Sequence, residues 1–360
     1  MENRKYRILA LNPGSTSTKA ALFENETEIW NDTQRYDVDV IRSFASVTDQ
    51  EGFRLGAIRD ALRRHETRVT DLDAVVGRGG LLKPIPGGTY LVEAPMLEDV
   101  KKCRWGSHAS NLGAPLAVRL AEEAGNIPAF IVDPVVVDEL APEARLSGTP
   151  MIERRSIFHA LNQKSAARRL ARELGKPYES LNLVVVHMGG GISVGGHEQG
   201  RVIDVNNALD GEGPFSPERA GSLPAGELAK LCFSGTYNLD QVMRKIAGEG
   251  GLVAHLGTND LREVIRRVDE GDSRAALVFE AMAYQVAREI GARAAALKGR
   301  VDAIVMTGGL AYSSRFTDLV ASRVAFIAPI HVYPGENELA ALAEGALRVL
   351  RGEEEPRRYA

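Results

Sequence analysis

Residues 8–23 read Ile8-Leu9-Ala10-Leu11-Asn12-Pro13-Gly14-Ser15-Thr16-Ser17-Thr18-Lys19-Ala20-Ala21-Leu22-Phe23. Two short apolar runs enclose a turn of Asn, Pro, Gly, Ser and Thr. Residues 8–11 are too few for a helix and read as a buried strand, with residues 20–23 as the returning partner of a β-hairpin. About half a chain later the pattern recurs. Residues 183–186 are apolar, His187-Met188-Gly189-Gly190-Gly191 turns the chain, and residues 192–194 can run back. Sequence identity between the segments is negligible, so the likeness is architectural. It predicts two halves of similar topology facing each other across a cleft.

Outward from these hairpins, residues 74–76, 129–132 and 301–306 read as further short strands. Helical stripes lie between them. Residues 111–124 carry Ala114, Ala117, Leu120 and Ala121, and Gly125 ends the run. Residues 156–174 start at Ser156 as a cap, bury Ile157, Leu161, Leu170 and Leu174, and stop at Gly175 and Pro177. The longest helix spans 273–298, with Val278, Met282, Val286, Ile290, Ala294 and Leu297 inward. A closing helix covers 337–350, with Leu339, Leu342, Ala343, Ala346 and Leu350 inward. Short strands alternating with helices predict an α/β protein. The charged tail Glu353-Glu354-Glu355-Pro356-Arg357-Arg358 is expected to fray.

The 360 residues allow one large or two ordinary domains. With 44% hydrophobic and 26% charged residues the composition is that of a soluble globule. A net charge of −4 argues against a general nucleic-acid or acidic-membrane binder. No apolar stretch approaches the roughly 20 residues that span a bilayer. Cys103 and Cys232 make neither a disulfide framework nor a zinc motif, and read as two buried thiols in a reducing compartment. The expected location is the cytoplasm.

Chemistry is suggested where strands end. Residues 12–19 offer hydroxyls, backbone N–H groups and Lys19 to an anion, although the GxxxxGK[ST] spacing is absent and a solvated turn would look the same. Gly189, Gly190 and Gly191 permit close approach of a phosphate, or simply a flexible turn. Thr307-Gly308-Gly309 suits a flat adenine or ribose, or a helix entry. Arg78, between a strand and Gly79-Gly80, and Arg219, in Pro214-Phe215-Ser216-Pro217-Glu218-Arg219-Ala220-Gly221, are arginines on constrained loops that could grip carboxylate or phosphate. Asp133 closes a strand and His159 opens a helix. Together these features favour a phosphate-handling enzyme.

The order of these motifs resembles the acetate and butyrate kinase family, within the superfamily that includes hexokinase and actin. Residues 12–19 are similar to the family's N-terminal signature in its butyrate-kinase wording. Butyrate-kinase-like stretches follow at Gly77-Arg78-Gly79-Gly80-Leu81-Leu82, Ile131-Val132-Asp133-Pro134-Val135-Val136-Val137-Asp138-Glu139, Ser156-Ile157-Phe158-His159-Ala160-Leu161-Asn162 and Val205-Asn206-Asn207-Ala208-Leu209-Asp210-Gly211.

The resemblance implies two actin-like (ribonuclease H-like) domains, residues 1–157 plus 335–360 and residues 158–334, with the nucleotide cleft between them. It implies reversible transfer of a phosphoryl group from ATP to butanoate, with Mg2+. Isobutyrate, propionate or acetate as substrate, or a non-enzymatic actin-like nucleotide switch, are the alternatives. By motif, Asn12, Ser15, Ser17, Lys19, His187, Gly189, Gly190 and Gly191 would meet phosphate. Asp260, Arg262, Gly308 and Gly309 would border the nucleoside. Arg78 would hold the carboxylate beside Gly80 and Phe158. Asp133, His159 and Arg219 would surround the reacting phosphoryl. Asn12 with Glu338, or with Glu336 nearby, would face the metal. Gly79 and Gly80, where acetate kinases carry valines, would leave room for a longer acyl chain. A homo-oligomer, dimer or higher, is expected.

Overall fold

The computed structural model describes residues 4–360. The chain divides into two compact units. One runs up to Val137 and is completed by Asn337–Ala360; the other is Asp138–Glu336.

The first unit is built on a six-stranded sheet: β1 (Arg7–Pro13), β2 (Ser17–Glu24), β3 (Thr27–Arg35), β4 (Ala74–Arg78), β5 (Thr89–Leu91) and β6 (Ala129–Val132), in the order β3-β2-β1-β4-β6-β5. The opening hairpin pairs antiparallel from Arg7↔Glu24 to Pro13↔Thr18, while β4 and β6 join in parallel. β3 was not legible as a strand, because only Trp30 of its nine residues is buried. It is an edge strand whose pairing comes from backbone groups rather than from apolar burial. Leu9, Leu11 and Val75 pack on the helices Glu51–Arg64 and Gly113–Glu123. The closing helix Glu338–Leu350 lies against β1, β4 and β6, where Gly345 brings its backbone onto Val132.

The second unit repeats the plan. Its strands β7 (Asn182–Met188), β8 (Ile192–Glu198), β9 (Arg201–Val205), β10 (Ala303–Gly308) and β11 (Ile330–Pro334) are ordered β11-β10-β7-β8-β9. β7, β8 and β9 are antiparallel, and β10 and β11 add in parallel beside β7. Residues alternate between two cores. Val184, Val186, Ile304 and Met306 face the helix Ser273–Ala296, and Leu183, Val185, Ala303 and Val305 face the helix Ala160–Glu173. Such a sheet, covered on both faces, needs apolar residues at every central position. Asn12, paired with Lys19, and His187, paired with Ser193, each stand one residue before the last pair of their hairpins.

Several expectations are corrected. The division falls after Val137 because residues 138–157 are tied to the second unit. Glu139 accepts from Val202 N (2.7 Å) and pairs with Lys164 (2.9 Å), and Arg154 binds Asp204 (3.0 Å) and Glu212 (3.1 Å). The helix expected from Ser156 begins at Ala160, since the Ile157 carbonyl is taken by Ala208 N at 2.9 Å. Leu174 is exposed, and Leu339 is only partly buried. Cys103 is partly exposed and Cys232 exposed rather than buried. The charged tail is docked. Arg357 exchanges backbone hydrogen bonds with Thr89 (2.8 Å) and Leu91 (3.0 Å), and the buried Tyr359 donates to Asp99 at 2.7 Å. No helix of the described residues is long and apolar enough to cross a membrane.

Candidate active site

In the first unit the chemistry gathers where β1 and β4 end. Asn12 sits near the end of β1 and is buried. Arg78 is the last residue of β4, and Glu338 is the first of the closing helix, where an anion is favoured by the helix dipole. Arg78 Nη1 lies 2.6 Å from Glu338 Oε1 and 3.4 Å from Asn12 Oδ1, and Asn12 Nδ2 donates to Glu338 Oε2. Three sequence-predicted residues therefore form one cluster, and Glu338 rather than Glu336 completes it. Among the described residues, Arg78 Nε and Nη2 have no hydrogen-bond partner.

The hairpin turn beside this cluster is held from below by a residue the sequence did not reveal. Arg54, on the helix Glu51–Arg64, is fully buried. Its Nη1 donates to the carbonyls of Gly14 and Ser17 (both 2.8 Å) and to Thr18 Oγ1 (3.0 Å), and Nη2 donates to Ser15 O (3.2 Å). Gln50 Oε1 takes Nε at 3.0 Å. Burial pushes the Arg54 guanidinium below its ordinary value. With the turn's carbonyls drawn toward Arg54, Ser15, exposed at its tip, and Ser17 and Lys19 beyond it are left for a ligand.

Asp133 follows β6 with φ 37°, a left-handed conformation uncommon outside glycine and costing about 1–3 kcal/mol. It is buried, and its Oδ1 accepts from Gly88 N at 2.7 Å. Gly80 does not provide the open volume expected of it. A Cβ there would fall 2.5 Å from Asn111 Cα, and one at Gly79 2.5 Å from Pro134 Cβ. Both glycines are close-packing positions.

In the second unit, His159 and His187 come together, ring centroids 4.2 Å apart. His159 takes the cap position before the helix Ala160–Glu173, and its Nδ1 is 2.9 Å from Ser193 Oγ. His187 Nε2 is 3.1 Å from Glu336 Oε1, and among the described residues its buried Nδ1 has no partner, a polar atom suited to a ligand. The turn of residues 189–191 lies against a loop: Ser216 Oγ donates to Gly190 O (2.6 Å), as does Glu218 N (3.2 Å). Arg219 donates to Ala208 O, and burial lowers the affinity of its guanidinium for its proton. A Cβ at Gly191 would collide with the Arg219 guanidinium, so glycine there leaves the space Arg219 fills. Phe158 is buried, with 2% of its surface exposed.

Asp260, next to Asn259, whose side chain donates to Glu218 at 2.6 Å, caps the helix Leu261–Asp269, accepting from Arg262 N at 2.9 Å and pairing with its side chain at 2.7 Å. Those hydrogen bonds hold the Asp260 carboxyl down at about 2. Gly308 has φ 94° and packs on the backbone of Met188, whereas Gly309 faces open space.

Among the described residues no group of three or more His, Cys, Asp or Glu could cage a metal. The oxygens of Asn12 and Glu338 nevertheless fit Mg2+, which uses one or two carboxylates together with phosphate and water.

The acetokinase family model matches residues 148–342, more than half of the chain. That match includes His159, His187 and Arg219 but not Asn12, Arg78 or Asp133. Among solved structures, acetate kinase from Porphyromonas gingivalis is 18% identical, covering 96% of this chain and 100% of that one, with a TM-score of 0.79. Acetate kinase from Entamoeba histolytica is 14% identical (96% and 99% covered, TM-score 0.76), and a propionate kinase from Francisella tularensis 19% identical (94% and 98%, TM-score 0.73). These likenesses establish the α/β, actin-like fold of the two units.

Proposed function

The chain belongs to the acetokinase family, and on that footing we propose that it transfers a phosphoryl group between ATP and a short-chain carboxylate, with butanoate the preferred acid. The observation that carries the reading is Arg78. Its guanidinium is anchored through Nη1 alone by Glu338 and Asn12, and its Nε–Nη2 edge is left for a bidentate carboxylate. A nucleotide switch has no use for such an edge. The preference for butanoate rests on the wording of the motifs around residues 12–19 and 77–82, not on the glycines at 79 and 80.

In-line transfer asks the protein for positioning and charge stabilisation rather than covalent chemistry. Arg78 orients the acid. The substrate carboxylate, with an ordinary pKa near 4, is already ionised at neutral pH and needs no general base. Asp133 therefore orients rather than accepts a proton. Arg219 and His159 donate to the oxygens of the phosphoryl in flight, and the turns at residues 14–17 and 189–191 hold the remaining phosphates. Asn12 and Glu338 would hold Mg2+, which would supply neutralising charge to the phosphate oxygens. Asp260, Arg262, Gly308 and Gly309 border the nucleoside.

The test is ADP formation against a panel of straight and branched acids of two to five carbons. Turnover that requires an added acid, with butanoate giving the highest kcat/KM, supports the proposal. ADP formation indifferent to every acid returns the protein to the nucleotide-switch reading.

A further inference from the structure

Behind His159 runs a chain of polar side chains that none of the phosphoryl-transfer steps uses. Gln163, Ser193 and His197 are completely buried and Tyr178 nearly so. Gln163 Nε2 is 3.1 Å from the backbone carbonyl of Ser193 and 2.8 Å from its Oγ. Gln163 Oε1 is 2.9 Å from His197 Nε2, and His197 Nδ1 is 2.8 Å from Tyr178 Oη. Gly195 makes this possible, since a Cβ there would stand 2.4 Å from Gln163 Oε1.

From Ser193, Gln163, His197 and Tyr178 we infer a hydrogen-bond chain that fixes the tautomer of His159, making Nδ1 an acceptor and placing the ring proton on Nε2. The inference rests on the reading of His159 as a donor to the reacting phosphoryl.

Every proton in the chain is assigned by what its neighbours can do. A backbone carbonyl only accepts, so the end of Gln163 beside Ser193 O is the amide nitrogen. The other end is then the oxygen, and His197 Nε2 must donate to it. That leaves a lone pair on His197 Nδ1, which takes the Tyr178 hydroxyl proton. On the other side, Ser193 Oγ receives the amide of Gln163. Among the described residues its partners are Gln163 and His159, so its own proton goes to His159 Nδ1. A neutral imidazole has one N–H, and with Nδ1 accepting it is Nε2–H. The neighbouring ring of His187, 4.2 Å away, limits tilting. A chain satisfied at every member holds its donors fixed, whereas a partly satisfied one would let the ring flip. These four are positioning residues, acting through His159.

The test uses the full chain with 15N-labelled histidine, whose seven side chains are separated by single histidine replacements. In the wild type, His159 should show a protonated Nε2 and an unprotonated Nδ1. Gln163→Glu replaces the donor to Ser193 with an acceptor. The serine hydroxyl should turn toward it, His159 should shift to the Nδ1–H form, and kcat should fall about 10²-fold, the cost of one lost oxyanion donor, with both KM values within twofold. Ser193→Ala should leave His159 in a mixture of tautomers. An Nδ1–H form in the wild type overturns the inference, as does a Gln163→Glu protein with unchanged tautomer and unchanged kcat. The wild-type spectrum decides even if a variant fails to fold. It also separates the two claims. The stated tautomer without carboxylate-dependent turnover sinks the kinase reading alone, and turnover with the opposite tautomer sinks the hydrogen-bond chain alone.

Discussion

A side chain at position 80 would run into Asn111: the Cβ would stand 2.5 Å from its Cα and 2.8 Å from its backbone nitrogen. Asn111 cannot give way, because its side chain accepts from Leu81 N at 2.8 Å and donates to Gly106 O at 2.9 Å. Gly80→Val should therefore lower stability by about 1–3 kcal/mol or more, as overpacking does, and should depress acetate, propionate and butyrate turnover alike. Thermal unfolding together with kcat/KM for the three acids checks this. A selective shift toward acetate would restore the pocket reading of the two glycines.

The contact between Gly191 and Arg219 predicts a functional loss without a stability loss. Gly191→Ala displaces the end of a flexible side chain rather than backbone, so the fold should tolerate it. If Arg219 stabilises the transition state, its removal should cost about 10³ in kcat, and Gly191→Ala should reproduce at least a tenfold part of that loss. Arg78→Ala, by contrast, should chiefly raise the KM of the carboxylate. Steady-state kinetics with melting curves separate the cases; normal kcat in Arg219→Ala rejects the assignment.

Arg54 is the concealed support of the first turn. Arg54→Met leaves the part-buried Gly14 carbonyl without its donor, while the Ser17 carbonyl keeps its 2.8 Å bond from Gly14 N, at about 1–3 kcal/mol for the unsatisfied group. Arg54→Lys can reach fewer of the turn's carbonyls and should be intermediate. Both should raise the KM for ATP more than that of the acid. Equal effects on the two KM values would mean that Arg54 supports the fold alone.

Tyr359 gives a pH dependence. Burial, then its hydrogen bond to Asp99, push its hydroxyl up to about 12, against an unfolded value near 10. Its contribution is complete below pH 10 and disappears as pH rises through about 12. Tyr359→Phe should be less stable than the parent at pH 8, and the gap should close between pH 10 and 12. Denaturant midpoints across that range test it; a gap independent of pH would show that the hydroxyl contributes nothing.

How far the sequence could be read follows from which interactions are periodic. The central strands and the helices on residues 273–296 and 338–350 announce themselves because burial repeats along them. β3 does not, since an edge strand with one buried residue carries no pattern. The Arg78–Glu338–Asn12 cluster was legible as members but not as a cluster, because nothing in spacing shows which strand ends meet. Gln163 lies four residues after His159, a helical neighbour that could have been noticed. Arg54 gives no such hint: an arginine on an amphipathic helix reads as surface unless its carbonyl partners are known. The docked tail is hidden for the same reason, Arg358 being matched by Glu93 and Glu354 by the Thr89 backbone N–H, both far away in sequence.

The return of the chain into the first unit sets an order of events during synthesis. Glu338, the helix that covers β1, β4 and β6, and the tail beside β5 all leave the ribosome after the rest of both units. The second unit is one continuous segment and can close as soon as it has emerged. The first unit, though begun earlier, must wait with one sheet face bare, and Arg78 without its counter-charge, until Asn337–Ala360 arrives. Translation thus makes the first-begun unit the last to be finished, and any nascent chain stopped short of Glu338 carries that face exposed.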